Sequence, residues 1–300
     1  MKKIKLVLGV LALMSLTTVF GQQDAQYTQY MYNMNVLNPA YAGSKGITSI
    51  GLLGRTQWVG VEGAPRTVTL AMHSPVGRAV GLGLSVIHDE IGPVKEDNIY
   101  ADFSYTIFTS DEGRLAFGLK AGVSFLDVRE FTTVDPDPLN IPIHQTSPNF
   151  GAGIYYYTNK FYLGLSAPNF IETKHLEKGG GVVSTASEKT HYFLTSGYVF
   201  EIADNLKLKP STMIKATAGA PISVDLSLNL LVDERVELGL SHRFDDSISA
   251  MIGFQVNDDF RIGYAYDYTT TQFGDFNSGS HEIILLFDFN RKNIKSPRFF

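Results

Sequence analysis

The chain contains no cysteine. That excludes disulfides, thiolate metal sites, cysteine nucleophiles and a lipid-modified N-terminal cysteine. Long apolar runs are also scarce. Residues 6–16 form one, behind Lys2, Lys3 and Lys5, but it falls short of the roughly 20 residues of a spanning helix, and no later run is longer. Charge of one sign is missing too: 25 basic against 30 acidic side chains leave −5 overall, with no basic stripe of the kind that holds nucleic acid. Catalytic groupings do not assemble either. The histidines (His73, His88, His144, His175, His191, His242, His281) lack metal-ligand spacing. His73 and His242 have serine neighbours, yet neither forms an activated nucleophile. Asp135, Pro136, Asp137 and Pro138 read as a stiff acidic loop rather than a calcium site. The run Gly179, Gly180, Gly181 has no following helix to make it a phosphate cradle. No catalytic, cofactor or metal site is predicted, and the chain is not expected to be an enzyme.

What is present is a secretion signal and a long run of alternation. Residues 1–21 read as a signal peptide, with Val19 and Gly21 placed for cleavage and a mature start near Gln22. Beyond residue 46, apolar side chains alternate with small or polar ones. Phe260, Ile262, Tyr264, Tyr266 and Tyr268 share one face of a strand; Arg261, Gly263, Ala265, Asp267 and Thr269 share the other. Phe117, Leu119, Ala121, Val123 and Phe125 oppose Gly118, Lys120, Gly122 and Ser124 in the same way. Strands are predicted at 47–57, 66–76, 79–88, 98–109, 114–127, 149–157, 160–168, 189–202, 205–216, 221–232, 235–244, 247–256, 259–270 and 279–289.

The turns separate by parity. Connections at 77–78, 110–112, 158–159, 203–204, 233–234 and 257–258 are tight. They alternate with connections at 59–65, 89–97, 129–148, 169–188, 217–220, 245–246 and 271–278, several much longer. Short turns on one rim and longer loops on the other characterise outer-membrane barrels. The polar face fits as well, since Lys120, Lys207, Lys209, Asp225, Arg261 and Asp267 would be costly inside a sandwich core but can pair in a wet lumen. The fold class is therefore all-β: a transmembrane antiparallel outer-membrane β-barrel of about 14 strands with an N-terminal non-barrel segment. Pro210 lies on the lipid-side register, where a bulge or rim position is expected. Tyr155, Tyr156, Tyr157 and Tyr162 surround one tight turn and read as an interfacial aromatic girdle.

Two segments stand outside the barrel at 47–290. Residues 22–46 are rich in Tyr, Asn, Gln and Met without sustained alternation, and would face the periplasm or fold into the lumen. Within them Pro39 fixes the backbone and Gly43 suits a positive-φ turn. Tyr30, Tyr32, Asn38, Pro39, Tyr41 and Gly43 are the candidate plug or partner-binding residues. The basic-aromatic tail 291–300 adds Arg298, Phe299 and Phe300 as candidates for docking on a periplasmic partner. Both termini are expected on the periplasmic side.

The leader QYTQYMYNMNVLNPAYAG, followed by GLLGRTQWVGVEGAPRTVTLAMHSP, resembles the PorP/SprF family of the type IX secretion system of Bacteroidetes; the ending SPRFF is similar too. The resemblance is most specific at 26–43 and 55–75 and weakens in the long loops. It implies an integral outer-membrane barrel whose partners are type IX components, outer-membrane lipid and the C-terminal domain of an exported surface protein such as a gliding adhesin. No cofactor is implied. Two rivals remain at this point: a transport channel for small hydrophobic or polar solutes plugged by its N-terminal segment, and a soluble secreted sandwich.

Overall fold

The computed structural model describes residues 26–129, 142–171 and 189–289. The strands are β1 (Ser49–Thr56), β2 (Arg66–Val76), β3 (Val80–Ile91), β4 (Val94–Phe108), β5 (Arg114–Val128), β6 (Ile143–Tyr157), β7 (Phe161–Ala167) and β8 (His191–Tyr198). They continue as β9 (Phe200–Ala203), β10 (Leu206–Thr217), β11 (Ser223–Val232), β12 (Val236–Arg243), β13 (Ser247–Gln255), β14 (Phe260–Thr269) and β15 (Ser280–Asp288). Each pairs antiparallel with its neighbours in sequence, except that β8 and β9 both pair with β10 and not with each other. β15 then pairs with β1, from Asp288 opposite Ser49 to His281 opposite Thr56, and closes the sheet. β8 and β9 are one strand in two pieces, because Gly197–Ser211 and Phe200–Leu208 share a register. Counting them once gives a closed up-and-down barrel of fourteen strands.

The interruption in that strand has an identifiable cause. Val199 donates its N–H to Lys160 O at 2.8 Å, so its backbone faces β7 and that of Tyr198 faces β10. The register sets Pro210 opposite Tyr198, and proline has no N–H to return. The expected bulge at Pro210 is thus corrected: the ladder loses a bond there but keeps its register. The bulge lies at the rim instead, between Leu206 and Lys207.

Alternation sorts the faces as the sequence predicts. On β14, Arg261, Gly263, Ala265, Asp267 and Thr269 are buried inward, while Ile262, Tyr264 and Tyr268 point out. Apolar side chains dominate the outward register through the middle of the long strands, Leu119 being 64% and Leu240 62% exposed. An apolar surface that encircles the whole molecule belongs in lipid.

Two expected loops are instead largely strand. The 89–97 stretch continues β3 and β4 to a turn at Gly92, with Ile91 opposite Val94. Its charges hid this, but they pair across the hairpin, His88 with Asp97 at 2.6 Å and Lys95 with Glu90 at 3.6 Å. Likewise β6 begins at Ile143, inside the expected 129–148 loop, with Ile143 opposite Val128. β4, β5 and β6 each reach 15 residues. That is more than the 9–11 that cross a bilayer, so their ends stand clear of lipid and need no apolar outer face. The Asp-Pro run and the Gly run of the long loops lie outside the described residues.

Candidate functional site in the barrel lumen

The N-terminal segment runs through the interior of the barrel. Gln26 lines the mouth at the long-loop rim, among Arg55, Asp246, Asp267 and Ser280. At the other rim Lys45 meets Asp288 at 2.9 Å, and the chain enters β1. Between them lie a 3-10 turn at Tyr30–Tyr32, a single helical turn α1 (Met34–Leu37) and a second 3-10 turn at Pro39–Tyr41. Every residue from Tyr27 to Ala42 is buried except Tyr32, which is partly so. These short turns follow from the sequence. Proline starts the last one with its φ preset, and the Asn38 side chain accepts the Ala40 N–H at 2.9 Å as its cap. Gly43 then turns at φ 72°, where an added Cβ would lie 2.8 Å from Gly81 Cα.

The wall supplies charge and the segment supplies backbone. Glu282 accepts the N–H of Thr28 at 2.9 Å and of Gln29 at 2.8 Å. Arg55 binds Glu282 at 3.1 Å and Asp267 at 2.7 Å, and also donates to the Thr28 hydroxyl at 3.0 Å. Tyr32 donates to Glu237, which pairs with Arg261 at 3.2 Å. Lys120 and Asp102 pair at 2.7 Å with both side chains fully buried, and Asn35 donates to Asp102 at 3.1 Å. Ser166 and Ser104 donate to the carbonyls of Leu37 and Ala42, each at 2.7 Å. A buried charge without such partners would be strongly unfavourable, so the networks and the segment depend on each other.

Inward-facing glycines make room for this backbone. A Cβ on Gly118 would lie 2.5 Å from Ala40 Cα, and one on Gly81 would lie 2.6 Å from the Ala42 carbonyl carbon. Gly83 faces Asn35, Gly153 faces Asn38 and Gly263 faces Gln29. Two small voids lie between segment and wall among the described residues. The voids beside Tyr27 and beside Gln29 hold about 10 Å³ each, room for roughly one water.

Tyr30, Tyr32, Asn38, Pro39, Tyr41 and Gly43 are therefore brought together inside the lumen, and Asn38 also donates to Ile154 O at 3.1 Å. Arg298, Phe299 and Phe300 lie outside the described residues, as do the signal peptide and both termini. The tyrosine girdle needs correction. Tyr155, Tyr157 and Tyr162 are buried inward, and Tyr155 packs edge-on against Tyr41 with centroids 5.4 Å apart. Alternation along β6 places Tyr155 and Tyr157 on the same face as Gly151 and Gly153, and leaves only Tyr156 outside. A run of three tyrosines obscured which face was which. Glu282, Arg55 and Asp102 were not singled out from the sequence. Their signal was there in the form of charges and glycines repeating on one strand face, which mark a wall that something must fill.

Barrel, apolar belt and occupied lumen together define an integral outer-membrane β-barrel. Residues 19–287 match the family described as type IX secretion system membrane protein PorP/SprF, and the chain belongs to that family. No curated protein sequence matches it. Among solved structures, the Ralstonia pickettii toluene transporter TbuX is similar, with a TM-score of 0.51 at 10% identity over 84% of this chain and 91% of that one. The Acinetobacter baumannii outer membrane protein Omp33 is similar with a TM-score of 0.47 at 9% identity, over 81% of this chain and 98% of that one. At such identities the likeness concerns the fold alone.

Proposed function

We propose that this protein is an accessory barrel of type IX secretion that supports export and cell-surface attachment of partner proteins, such as large gliding adhesins, by recognition rather than conduction. The filled lumen carries this reading. The voids beside Tyr27 and Gln29 hold only about 10 Å³ each, and bonds from Glu282, Asp102 and Ser104 hold the segment across the lumen, which supports its acting as a plug. The short-turn rim is periplasmic and the long-loop rim faces outside, following the usual asymmetry of such barrels. The tail 291–300 then continues on the periplasmic side. Partner contacts are assigned to the outer loops and the tail.

Planar-bilayer recording combined with affinity pull-down from mild-detergent outer membranes tests this. The full chain is expected to be electrically silent and to bring down type IX components or an exported surface protein. A variant lacking residues 22–42 is expected to conduct. Steady conductance by the full chain, with no co-purifying partner, would replace recognition by solute transport.

A further inference from the structure

A barrel built from hairpins has one pairing that no turn supplies. With β8 and β9 counted as one, every strand pairs with the strand that follows it, and a connection of the chain holds the two together. The last pairing, β1 with β15, has no such connection: Ser49 and Asp288 face each other from 239 positions apart. The entropic cost of closing a loop grows with its length, so this seam gains least from chain connectivity. β1 is also short, eight residues with Gly51 and Gly54 inside it, and glycine weakens a strand.

The N-terminal segment crosses this seam near both rims. Towards the long-loop rim, Thr28 reaches three strands. Its N–H goes to Glu282 of β15 at 2.9 Å, its hydroxyl donates to Asp267 of β14 at 2.8 Å, and the same hydroxyl accepts from Arg55 of β1 at 3.0 Å. At the short-turn rim, Lys45 donates to Ser49 of β1 at 3.0 Å and to Asp288 of β15 at 2.9 Å. Tyr27 and Gly43 extend the hold to β2, through Thr69 at 3.0 Å and His73 at 3.3 Å. Further round the wall, bonds from the segment fall on hairpins: on Asp102 of β4, which pairs with Lys120 of β5, and on Ile154 and Ser166 of β6 and β7. We propose that the segment is a clasp on the β1–β15 seam, so that release of the plug and opening of the wall between the first and last strands are one transition. Parting the seam separates Arg55 from Glu282 and Asp267, buried charges that are costly without partners, and breaks the bonds of Thr28 and Lys45 to both sides. Such a coupling is reciprocal: whatever displaces the segment loosens the seam, and whatever parts the seam frees the segment.

Hydrogen–deuterium exchange of the purified full-length barrel in detergent, read by mass spectrometry, tests the clasp. The variant is Thr28→Val with Lys45→Met, which removes one hydroxyl and one ammonium of the segment and alters no wall residue. The expected result is exchange at least about tenfold faster in the amides bonded between β1 and β15, with the β4–β5 hairpin unchanged. Leu52 and Leu285 lie opposite each other on the lipid side of the seam, so Leu52→Cys with Leu285→Cys permits a disulfide across it. Once oxidised in the variant background, that pair should return the seam amides to the wild-type rate. Unchanged exchange at β1 and β15 overturns the proposal, as does a rise spread evenly over the sheet or one that the disulfide leaves in place. Should the double variant fail to fold, Thr28→Val alone, which keeps both backbone bonds to Glu282, is expected to give a smaller rise at the same amides, and no rise there overturns the clasp equally. None of these readings involves a partner or a conductance, so failure here and failure of the secretion role are separable.

Discussion

Gly118→Ala is the smallest change that should loosen the plug. The added methyl would lie 2.5 Å from Ala40 Cα, with Ala40 N and Pro39 C closer still, and all three are backbone atoms that no rotamer change can move aside. Ordinary contact would require the segment to retreat by about 1.5 Å. Such overpacking typically costs about 1–3 kcal/mol. The shift also strains the bonds beside it, Asn38 to Ile154 at 3.1 Å and Ser104 to Ala42 at 2.7 Å, each worth about 1 kcal/mol. Together these give about 2–5 kcal/mol against the docked segment, or a rise of between about thirtyfold and several thousandfold in its undocked population. Because the chain has no cysteine, Met31→Cys introduces a single thiol at a fully buried plug position. Its maleimide labelling rate reads the undocked population. Gly54→Ala is the control, since a Cβ there meets nothing within 4 Å. Equal labelling of the Gly118 and Gly54 variants would refute the claim that inward glycines exist to seat the plug.

Other expectations follow from the same geometry. Glu282→Ala removes the acceptor for two N–H groups and a partner of Arg55; it should cost about 3–5 kcal/mol by urea denaturation, with Glu282→Gln recovering part. Tyr41→Ala loses its edge contacts to His73 and Tyr155 and should cost about 3–5 kcal/mol in the same assay, whereas the outward Tyr156→Ala should cost under about 1 kcal/mol. Equal costs would refute the packing of Tyr41 against Tyr155 inside the lumen. Pro210→Ala gives Tyr198 O its missing donor and should stabilise the barrel by about 1 kcal/mol; a loss would mean that the interruption is needed for packing.

The barrel is legible in the order of residues alone. A side-chain period of two names the face of each strand, and turn chemistry marks where strands reverse, so both the strand count and the lipid-facing surface were legible locally. Two features misled this local rule. Charged hairpin ends beyond the bilayer looked like loops, and Tyr155 and Tyr157 looked interfacial because flanking tyrosines hid the alternation. The plug was legible only as a segment that lacked alternation. Its place was decided by tertiary structure: short turns carry no register, and the positions of Thr28, Asn35, Asn38 and Ala42 depend on wall residues up to 254 positions away. Closure brings Arg55, Asp267 and Glu282 from β1, β14 and β15 to one point. Only once the barrel is shut do the inward charges and glycines describe a single cavity, shaped to the backbone that fills it.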